Sequence, residues 1–375
     1  MKKRLFTALA AATGLFLVGC GQDTGADDEV VRIAVAAPLT GDNAEYGIGF
    51  LNAAELQAEY WNANGGVLGR EIVIVPFDDR NSAEEAASIA QRIVSDGNFA
   101  GVLGHFSSGV AMTAAPIYNE NQIVNISPSA GHPEFTNIGE FIFRNNTLTT
   151  DQAAEMVDIA VNYLGLVNIG ILNILTEWGT TASNAFISVI EGMDGVNLVA
   201  HEEVMEGSND FSPSITNLQA AGADVILTAA MYSTLAPFAR QYRQVQPDIE
   251  IVAFGNAHSH QLLELGGDAV EGIIFPVNVF TGSDAPAMVE FISRFTEEFG
   301  YSPSALTAQA FDSVGILLAA IEEAGTIHGP TVREVLADIR FTGVGGEFYF
   351  DGNRDVLTDF VTVIIQNRDF VEVIR

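Results

Sequence analysis

Short apolar runs alternate with longer amphipathic segments along most of the chain. Residues 30–36 form a run rich in Val and Ala, and residues 43–64 carry apolar side chains at helical spacing until two glycines interrupt the pattern. A capping box at 82–85 opens another helix. The alternation continues with strands at 71–77, 100–103 and 123–126 and a helix at 109–119. This order predicts a doubly wound parallel sheet with helices on both faces.

A second series of the same kind begins near residue 150. It contains predicted helices at 151–164, 182–192, 212–221 and 235–244 and predicted strands at 167–172, 196–203, 225–228 and 249–253. The tail adds a strand at 272–279, helices at 286–299 and 304–323, a helix with Pro330 at its first position, and strand-like segments at 348–350, 360–365 and 370–374. The tail is too short for a third domain, so we expect its elements to complete the first two.

The composition is that of two folded domains and excludes nucleic acid as a partner. The chain has 375 residues, of which 48% are hydrophobic, and this is enough for two cores. Its 48 acidic residues far outnumber its 16 basic residues. Such a surface repels polyanions, because nucleic-acid binders need clustered Lys and Arg to displace counterions. We interpret the dispersed acidity as an adaptation for solubility.

The N-terminal segment resembles a bacterial lipoprotein signal. Residues 2–4 are basic, residues 5–18 form an apolar run too short to span a bilayer, and a Leu-Val-Gly-Cys motif ends at Cys20. We predict a lipoprotein signal peptide at 1–19, a lipid on Cys20 that anchors the protein to a membrane, and a flexible tether at 20–28. The alternative is a free cysteine in an ordinary signal segment. Because the chain has a single cysteine, it can form no internal disulfide.

Catalytic signatures are missing from the sequence. It contains no glycine-rich nucleotide motif, no H-E-x-x-H motif and no G-x-S-x-G elbow. We interpret Asp78 and Asp79 as a helix cap in preference to catalytic carboxylates, and residues 351–355 as a turn in preference to a calcium loop. His258 and His260 have no neighbours that complete a metal site. We therefore expect a non-enzymatic protein with no catalytic residue, no metal and no cofactor.

Two loops rich in serine follow neighbouring predicted strands. Residues 104–109 lead from a strand into a helix, and residues 126–131 end the next strand. Hydroxyl and free N–H groups at a helix start suit a carboxylate, because the helix dipole is positive there. Ligands of open α/β sheets bind outside the carboxyl ends of the strands, so the two loops together would hold one small anion. The alternative, in which these serines only cap helices, stays open.

Four segments resemble the leucine/isoleucine/valine-binding family of type I periplasmic binding proteins. They are PLTGDNAEYG at 38–47, NANGG at 62–66, FDDRNSAEEAASIAQRIV at 77–94 and GHFSSGVAMTAAPIYNENQIVNISPSAGHPEFT at 104–136. The resemblance spans essentially the whole mature chain. It implies an α/β fold of two Rossmann-like lobes joined by three crossover segments, with a ligand cleft between the lobes. It places 29–148 plus 278–358 in lobe 1 and 149–277 plus 359–375 in lobe 2.

The resemblance also implies which residues bind the ligand. In the first lobe, hydroxyl and backbone groups would hold the carboxylate and ammonium of an amino acid, at Ser108, Ser129, Ala130 and Gly131. The neighbouring wall of the pocket would be formed by Tyr46, Phe106 and Ser107. In the second lobe, an aromatic residue before a glycine would close on the ligand, and Trp178 matches that position.

Three positions depart from the family pattern. Gly131 stands where a hydroxyl is frequent, and Met231 stands where an aromatic residue is usual, with Tyr232 beside it. Gly255 and Asn256 stand where an acidic residue pairs with the ammonium. A buried ammonium without a counter-charge is costly. We therefore expect a small amino-acid-like ligand of the branched-chain or related type, with an amide, urea or an aromatic acid as the alternative.

The resemblance implies a receptor on the periplasmic or cell-surface side of a bacterial membrane. The lobes would close on the small-molecule ligand, and an ABC transporter permease would then recognise the closed form. The lipid on Cys20 would keep the receptor near the permease. A ligand-sensing subunit of a signalling system is the alternative function. A hydrolase is disfavoured, because no motif supplies a nucleophile together with a base.

Overall fold

The apolar run that starts near residue 30 becomes a central strand of a sheet. In a computed structural model, which describes residues 30–374, β1 (Val30–Ala37) pairs in parallel with β2 (Glu71–Asp78) and with β3 (Phe99–Gly104). The strands β4 (Asn125–Ser127) and β5 (Ile142–Arg144) extend the sheet, which has the order β2-β1-β3-β4-β5. The whole of β3 and most of β1 are buried, as expected for a parallel sheet covered on both faces.

Three helices connect these strands, namely α1 (Ala44–Ala63), α2 (Ala83–Asp96) and α3 (Ser108–Glu120). The side chains of β1 alternate between the two faces: Ile33 and Val35 pack with α1, whereas Ala34 and Ala36 pack with α2 and α3. The helix α2 begins as its sequence predicts, because the hydroxyl of Ser82 accepts a hydrogen bond from an amide in the first turn.

The chain then builds a second unit with the same plan. It starts with α4 (Thr149–Asp158), which continues as a π-helical turn, Ile159–Tyr163. The unit continues with β6 (Asn168–Ile174), α5 (Glu177–Glu191), β7 (Asn197–Val204), α6 (Ser212–Ala220), β8 (Val225–Ala229), α7 (Tyr232–Val245), β9 (Glu250–Ala253), α8 (His260–Gly266) and β10 (Ile274–Val277). Its parallel strands have the order β7-β6-β8-β9-β10, which repeats that of the first sheet.

The next segment returns to the first unit. It comprises α9 (Pro286–Phe299), α10 (Ala305–Ala324), α11 (Gly329–Asp338) and a hairpin of β11 (Phe341–Gly343) and β12 (Gly346–Phe348). The helix α10 is long and apolar enough to span a bilayer, but most of it is buried. It packs against α1, β3 and β4, so it is a core helix of the first unit.

The last strands belong to the second unit. The strand β13 (Val361–Gln366) pairs antiparallel with β10, and β14 (Asp369–Glu372) pairs antiparallel with β13. Just before them, Asp355 is still attached to the first unit, because its carboxylate pairs with the buried guanidinium of Arg144. The chain therefore crosses between the units three times, and each unit combines separate stretches of sequence.

The predicted fold class, an α/β fold of two doubly wound lobes, is confirmed. Individual elements differ from the prediction. The helix α5 begins at Glu177, five residues before the predicted start at 182, because Thr176 caps it. The strand β5 and the helix α8 were not predicted, since three and seven residues are too few to show a periodic pattern.

Candidate functional site

The loop between β3 and α3 rests on a buried polar network. His105 is fully buried, with Nδ1 lying 2.6 Å from Oδ2 of Asp79 and Nε2 lying 3.2 Å from the hydroxyl of Tyr118. Gly104 has a φ of 131°, and a Cβ there would lie 2.0 Å from the carbonyl oxygen of Ala36. Only glycine fits this turn. Asp79 is thus a structural partner of His105 and does not act as a helix cap.

The two serine-rich loops are hydrogen-bonded to each other. The hydroxyl of Ser129 donates to the carbonyl of Phe106 at 2.7 Å, and the amide of Gly131 donates to the hydroxyl of Ser108 at 3.2 Å. Ser107 is the N-cap residue of α3, but its side chain makes no capping hydrogen bond. Helix capping alone therefore does not account for these serines.

A cavity of about 370 Å³ lies between the two lobes, at the carboxyl ends of the strands in both sheets. This is where open α/β sheets bind ligands. Seven of the predicted ligand-binding residues line the cavity: Phe106, Ser107, Ser108, Ser129, Trp178, Met231 and Asn256. Residues that are far apart in sequence are therefore brought together around one space.

Four side chains that line the cavity hold polar atoms without a hydrogen-bond partner in the described part of the chain. These buried atoms are Oδ1 of Asn81, Oγ1 of Thr147, Oδ1 of Asn256 and Nδ2 of Asn278. Buried polar atoms in folded proteins are normally paired. The cavity therefore offers an amide donor, two amide oxygens that can accept, and a hydroxyl to a small polar ligand.

Four predicted residues lie outside the cavity lining: Tyr46, Ala130, Gly131 and Tyr232. The ring of Tyr46 stacks on Phe106 with centroids 4.5 Å apart, and its hydroxyl donates to the carbonyl of Asn256 at 3.0 Å. The hydroxyl of Tyr232 donates to the carbonyl of Asp42 at 3.3 Å. Both tyrosines thus connect the lobes in this structure, and contact of the four residues with a ligand stays a prediction.

The glycine at position 131 has a specific packing reason. A Cβ at Gly131 would lie 2.4 Å from Oγ1 of Thr149, a buried residue that lines the cavity. The hydroxyl of Thr149 therefore occupies the space that a side chain at position 131 would take. A hydroxyl is present at this place in the cavity wall, although it comes from the start of α4.

Sequence reasoning missed most of the other polar residues around the cavity. They are Asn81, Asn146, Thr147, Thr149, Gln152, Thr176, Glu177, Glu206, Asn278 and Gln309. Most lie on crossover segments or on helices that reach the cavity only after the lobes assemble. A usable signal existed for Glu177 and Glu206, since each follows the carboxyl end of a predicted strand.

Acidic side chains of one lobe contact polar side chains of the other. The hydroxyl of Ser259 donates to Oε1 of Glu45, and Nε2 of His132 lies 2.8 Å from Oε1 of Glu177. Burial raises the pKa of Glu45 to about 7, although the hydrogen bond from Ser259 opposes this shift. The charge state of Glu45 is therefore linked to contact between the lobes.

The remaining candidates for chemistry serve the fold. His258 is buried against Phe275 and Phe370, and burial lowers the pKa of His258 to about 3, so the ring is neutral at neutral pH. Residues 351–355 form a turn in which Asp351 accepts hydrogen bonds from two amides of the same segment. Within residues 30–374, no three His, Cys, Asp or Glu side chains gather as metal ligands.

Known proteins resemble this chain over nearly its whole length. Residues 30–364 match the family model described as periplasmic binding protein. Leu/Ile/Val-binding protein homolog 1 of Brucella abortus is 28% identical over 360 residues, which cover 95% of this chain and 94% of that protein. The solved structure of a leucine binding protein, LivK, from Thermotoga maritima has a TM-score of 0.84 at 27% identity, covering 92% of this chain and 98% of that chain.

A further solved structure shows the fold with a different ligand. It is a solute binding protein of an ABC transporter from Rhodopseudomonas palustris in complex with 3,4-dihydroxy benzoic acid. Its TM-score is 0.84 at 19% identity, and the match covers 92% of this chain and 96% of that chain. At this identity the likeness is one of fold alone.

Proposed function

This chain belongs to the periplasmic binding protein family, and from that premise we propose that it is the amino-acid receptor of an ABC transporter. Proteins of this family are extracytoplasmic solute-binding proteins and are not enzymes. The proposed ligand is a branched-chain or related amino acid, bound between the lobes. The proposed partners are this ligand and the transporter permease.

The unsatisfied polar atoms of the cavity carry the proposal. A ligand carboxylate would lie at the N-terminus of α3, where the hydroxyls of Ser107 and Ser108 and the helix dipole favour a negative charge. The amide of Asn278 adds a donor without a partner. Trp178 and Met231 supply apolar surface from the second lobe for an aliphatic side chain.

The relatives support the same ligand class. The homologue from Brucella abortus is named for Leu, Ile and Val, and the structure from Thermotoga maritima is a leucine binding protein. A ligand that contacts both lobes binds the closed form more tightly than the open form. Binding would therefore shift the population toward the closed form that a permease recognises.

Isothermal titration of the soluble domain with L-leucine, L-isoleucine, L-valine and a wider panel of amino acids tests this function. We expect saturable binding, and we expect Ser108→Ala to weaken it about tenfold because one hydroxyl in the wall is lost. Ser95→Ala, on α2, is the matched control and should bind as wild type. Absence of binding by every small solute in the panel would contradict the receptor function.

The alternative ligand classes are an amide, urea or an aromatic acid. Asn256 favours them, because a neutral amide stands where the resemblance led us to expect an acid. Acetamide, urea and benzoate added to the same panel distinguish these classes. If one of them binds and no amino acid does, the fold and the transport function stand, but the proposed ligand is wrong.

Transport and sensing are separated by reconstitution. Vesicles that contain the permease and its ATPase should take up the ligand only when this protein is added. Lack of uptake with a ligand-loaded receptor would favour the sensing subunit.

Two further assignments remain proposals. We propose lobe 1 as 29–148 plus 278–358 and lobe 2 as 149–277 plus 359–375, and the strand order of the two sheets supports this division. The signal peptide, the tether and Cys20 lie outside the described residues, and the lipid anchor is proposed from their sequence. Cys20→Ala should abolish incorporation of labelled palmitate into the expressed protein, and labelling of the variant at the wild-type level would refute the anchor.

A further inference from the structure

The cavity between the lobes has an uneven distribution of charge. Of the described residues that line it, only Glu177 and Glu206 have charged side chains, and both are acidic. Both belong to the second lobe, whereas the first lobe contributes serine hydroxyls and the positive end of α3. No Lys or Arg of the described chain lines the cavity. This polarity matches a ligand that carries separated negative and positive groups.

The two acidic residues are not equivalent. Glu177 is exposed, and its Oε1 already lies 2.8 Å from Nε2 of His132 and 3.3 Å from the hydroxyl of Thr181. Its carboxylate is therefore engaged within the protein. An additional cation from the ligand would compete with these partners.

Glu206 lies in the loop after β7 and has no basic partner among residues 30–374. Its one hydrogen bond to a side chain is a long one, from Nδ2 of Asn43 to Oε1 at 3.3 Å. Burial raises the pKa of Glu206, and the nearby charge of Asp42 raises it further. A positive group next to Glu206 would offset the free-energy cost of keeping its carboxylate ionised in this partly buried, acidic surrounding.

A second acceptor faces the same cavity from the same lobe. Oδ1 of Asn256 is buried and has no hydrogen-bond partner, while the Nδ2 of this residue donates to the sulfur of Met231. Glu206 and Asn256 thus provide a carboxylate and an amide oxygen. An ammonium group needs such acceptors, because it can only donate.

We propose that Glu206 is the specificity-determining residue that pairs with the ammonium of the ligand, assisted by Oδ1 of Asn256. The inference rests on the proposed receptor function and deepens it: the ligand class becomes zwitterionic α-amino acids, and simple carboxylic acids and dicarboxylates are disfavoured. The counter-charge comes from the loop between β7 and α6, because position 256 is an amide in this chain. A carboxylate and an ammonium of one ligand would then contact opposite lobes and hold them together.

The test uses L-leucine and its deaminated analogue, 4-methylpentanoate, with isothermal titration. Wild type should bind leucine on the order of 10- to 100-fold more tightly than the analogue, since a hydrogen-bonded charge pair contributes that much. Glu206→Gln should lose most of this preference, with weaker binding of leucine and unchanged binding of the analogue. Glu203→Gln, an exposed acidic position on β7, is the matched control and should retain the preference.

A proton measurement adds a second readout. An ammonium next to Glu206 lowers the pKa of this carboxyl, so leucine binding near pH 5.5 should release more protons from wild type than from Glu206→Gln. The number of protons follows from titrations in buffers of different ionisation enthalpy. Proton uptake by Glu45 on lobe contact is common to both proteins and cancels in this difference.

The outcomes separate the two proposals. If Glu206→Gln keeps the full preference for leucine, or if it releases as many protons as wild type when leucine binds, the assignment of Glu206 is overturned while the receptor function stands. If wild type binds the analogue as tightly as leucine, the zwitterion selectivity is overturned in the same way. If wild type binds no member of the panel, both proposals fall.

Discussion

At the scale of single residues, the wall of the cavity depends on a glycine that leaves room for a neighbouring side chain. Because Gly131 has no side chain, it leaves space for the hydroxyl of Thr149. Thr149 lies at the start of α4, after the chain has crossed from the first lobe to the second. The glycine that departs from the family pattern at position 131 therefore makes room for a hydroxyl from position 149.

Gly131→Ala tests this relation. The new Cβ would lie 2.4 Å from Oγ1 of Thr149, so the free energy of unfolding should fall by about 1–3 kcal/mol as the wall shifts. Urea denaturation measures the loss. The double variant with Thr149→Ala should recover most of it, because the clashing atom is removed. Equal stability of Gly131→Ala and wild type would contradict the predicted clash with Thr149.

At the scale of elements, the start of α5 at Glu177 determines where the second lobe places Trp178 in the cavity wall. The hydroxyl of Thr176 accepts a hydrogen bond from the amide of Gly179 at 3.1 Å, which makes Thr176 the N-cap residue. Trp178 therefore lies in the first helical turn, where its ring packs edge-on against Phe254, with centroids 5.2 Å apart. The cap fixes the direction of the indole that faces the cavity.

Thr176→Ala should lower the free energy of unfolding by about 1 kcal/mol, because the cap hydrogen bond is lost. Ligand affinity should fall at the same time, as Trp178 loses its fixed position. Thermal unfolding and isothermal titration measure the two effects. Thr176→Ser retains the cap and should preserve both, and Ser188→Ala, an exposed change within α5, is the matched control. A stable helix with unchanged affinity would contradict the positioning effect of the cap.

The sequence was sufficient for the longer elements and for the two serine-rich loops. The helix α2 has a clear apolar period and a serine cap, α10 begins after a capping serine and ends at a glycine, and buried strands such as β3 are continuous apolar runs. The hydroxyl pattern placed Ser107, Ser108 and Ser129 around one space, because neighbouring parallel strands end at the same edge.

The rest of the site lay beyond sequence reasoning for a physical reason. Asn278 and Gln309 reach the cavity only through the pairing of the lobes and the return of α10 to the first lobe. The partnership of Asp79 with His105 joins the end of β2 to the end of β3, and a strand-end carboxylate gives no indication of whether it caps a helix or meets a buried imidazole.

At the scale of the whole molecule, contact between the lobes is linked to protonation of Glu45. Glu45 of the first lobe accepts a hydrogen bond from Ser259 of the second, and Tyr232 and Glu264 lie near enough to influence it. With the lobes in contact, burial raises the pKa of Glu45 to about 7 from its ordinary value of 4.5. A raised carboxyl pKa means that the contact form binds the proton more tightly than the separated form.

Lobe contact should therefore be strongest at low pH, weaken as the pH rises from 4.5 to about 7, and remain level above that. Small-angle X-ray scattering of the ligand-free protein between about pH 5.5 and 8 measures the opening, in a range that avoids precipitation near the isoelectric point of about 4.2. Glu45→Gln should reduce the pH dependence, and Glu59→Gln, exposed on the same helix, should not. A radius of gyration that is constant with pH in wild type would refute the linkage.

The three crossings of the chain between the lobes also constrain its biosynthesis. The first lobe needs α9, α10 and α11 for its core, and the sheet of the second lobe ends with β13 and β14. Neither lobe has all its parts until the ribosome has translated nearly the entire message, so neither can reach its final structure early in translation. An exporter that accepts only unfolded chains would therefore have almost the full synthesis time in which to engage this one.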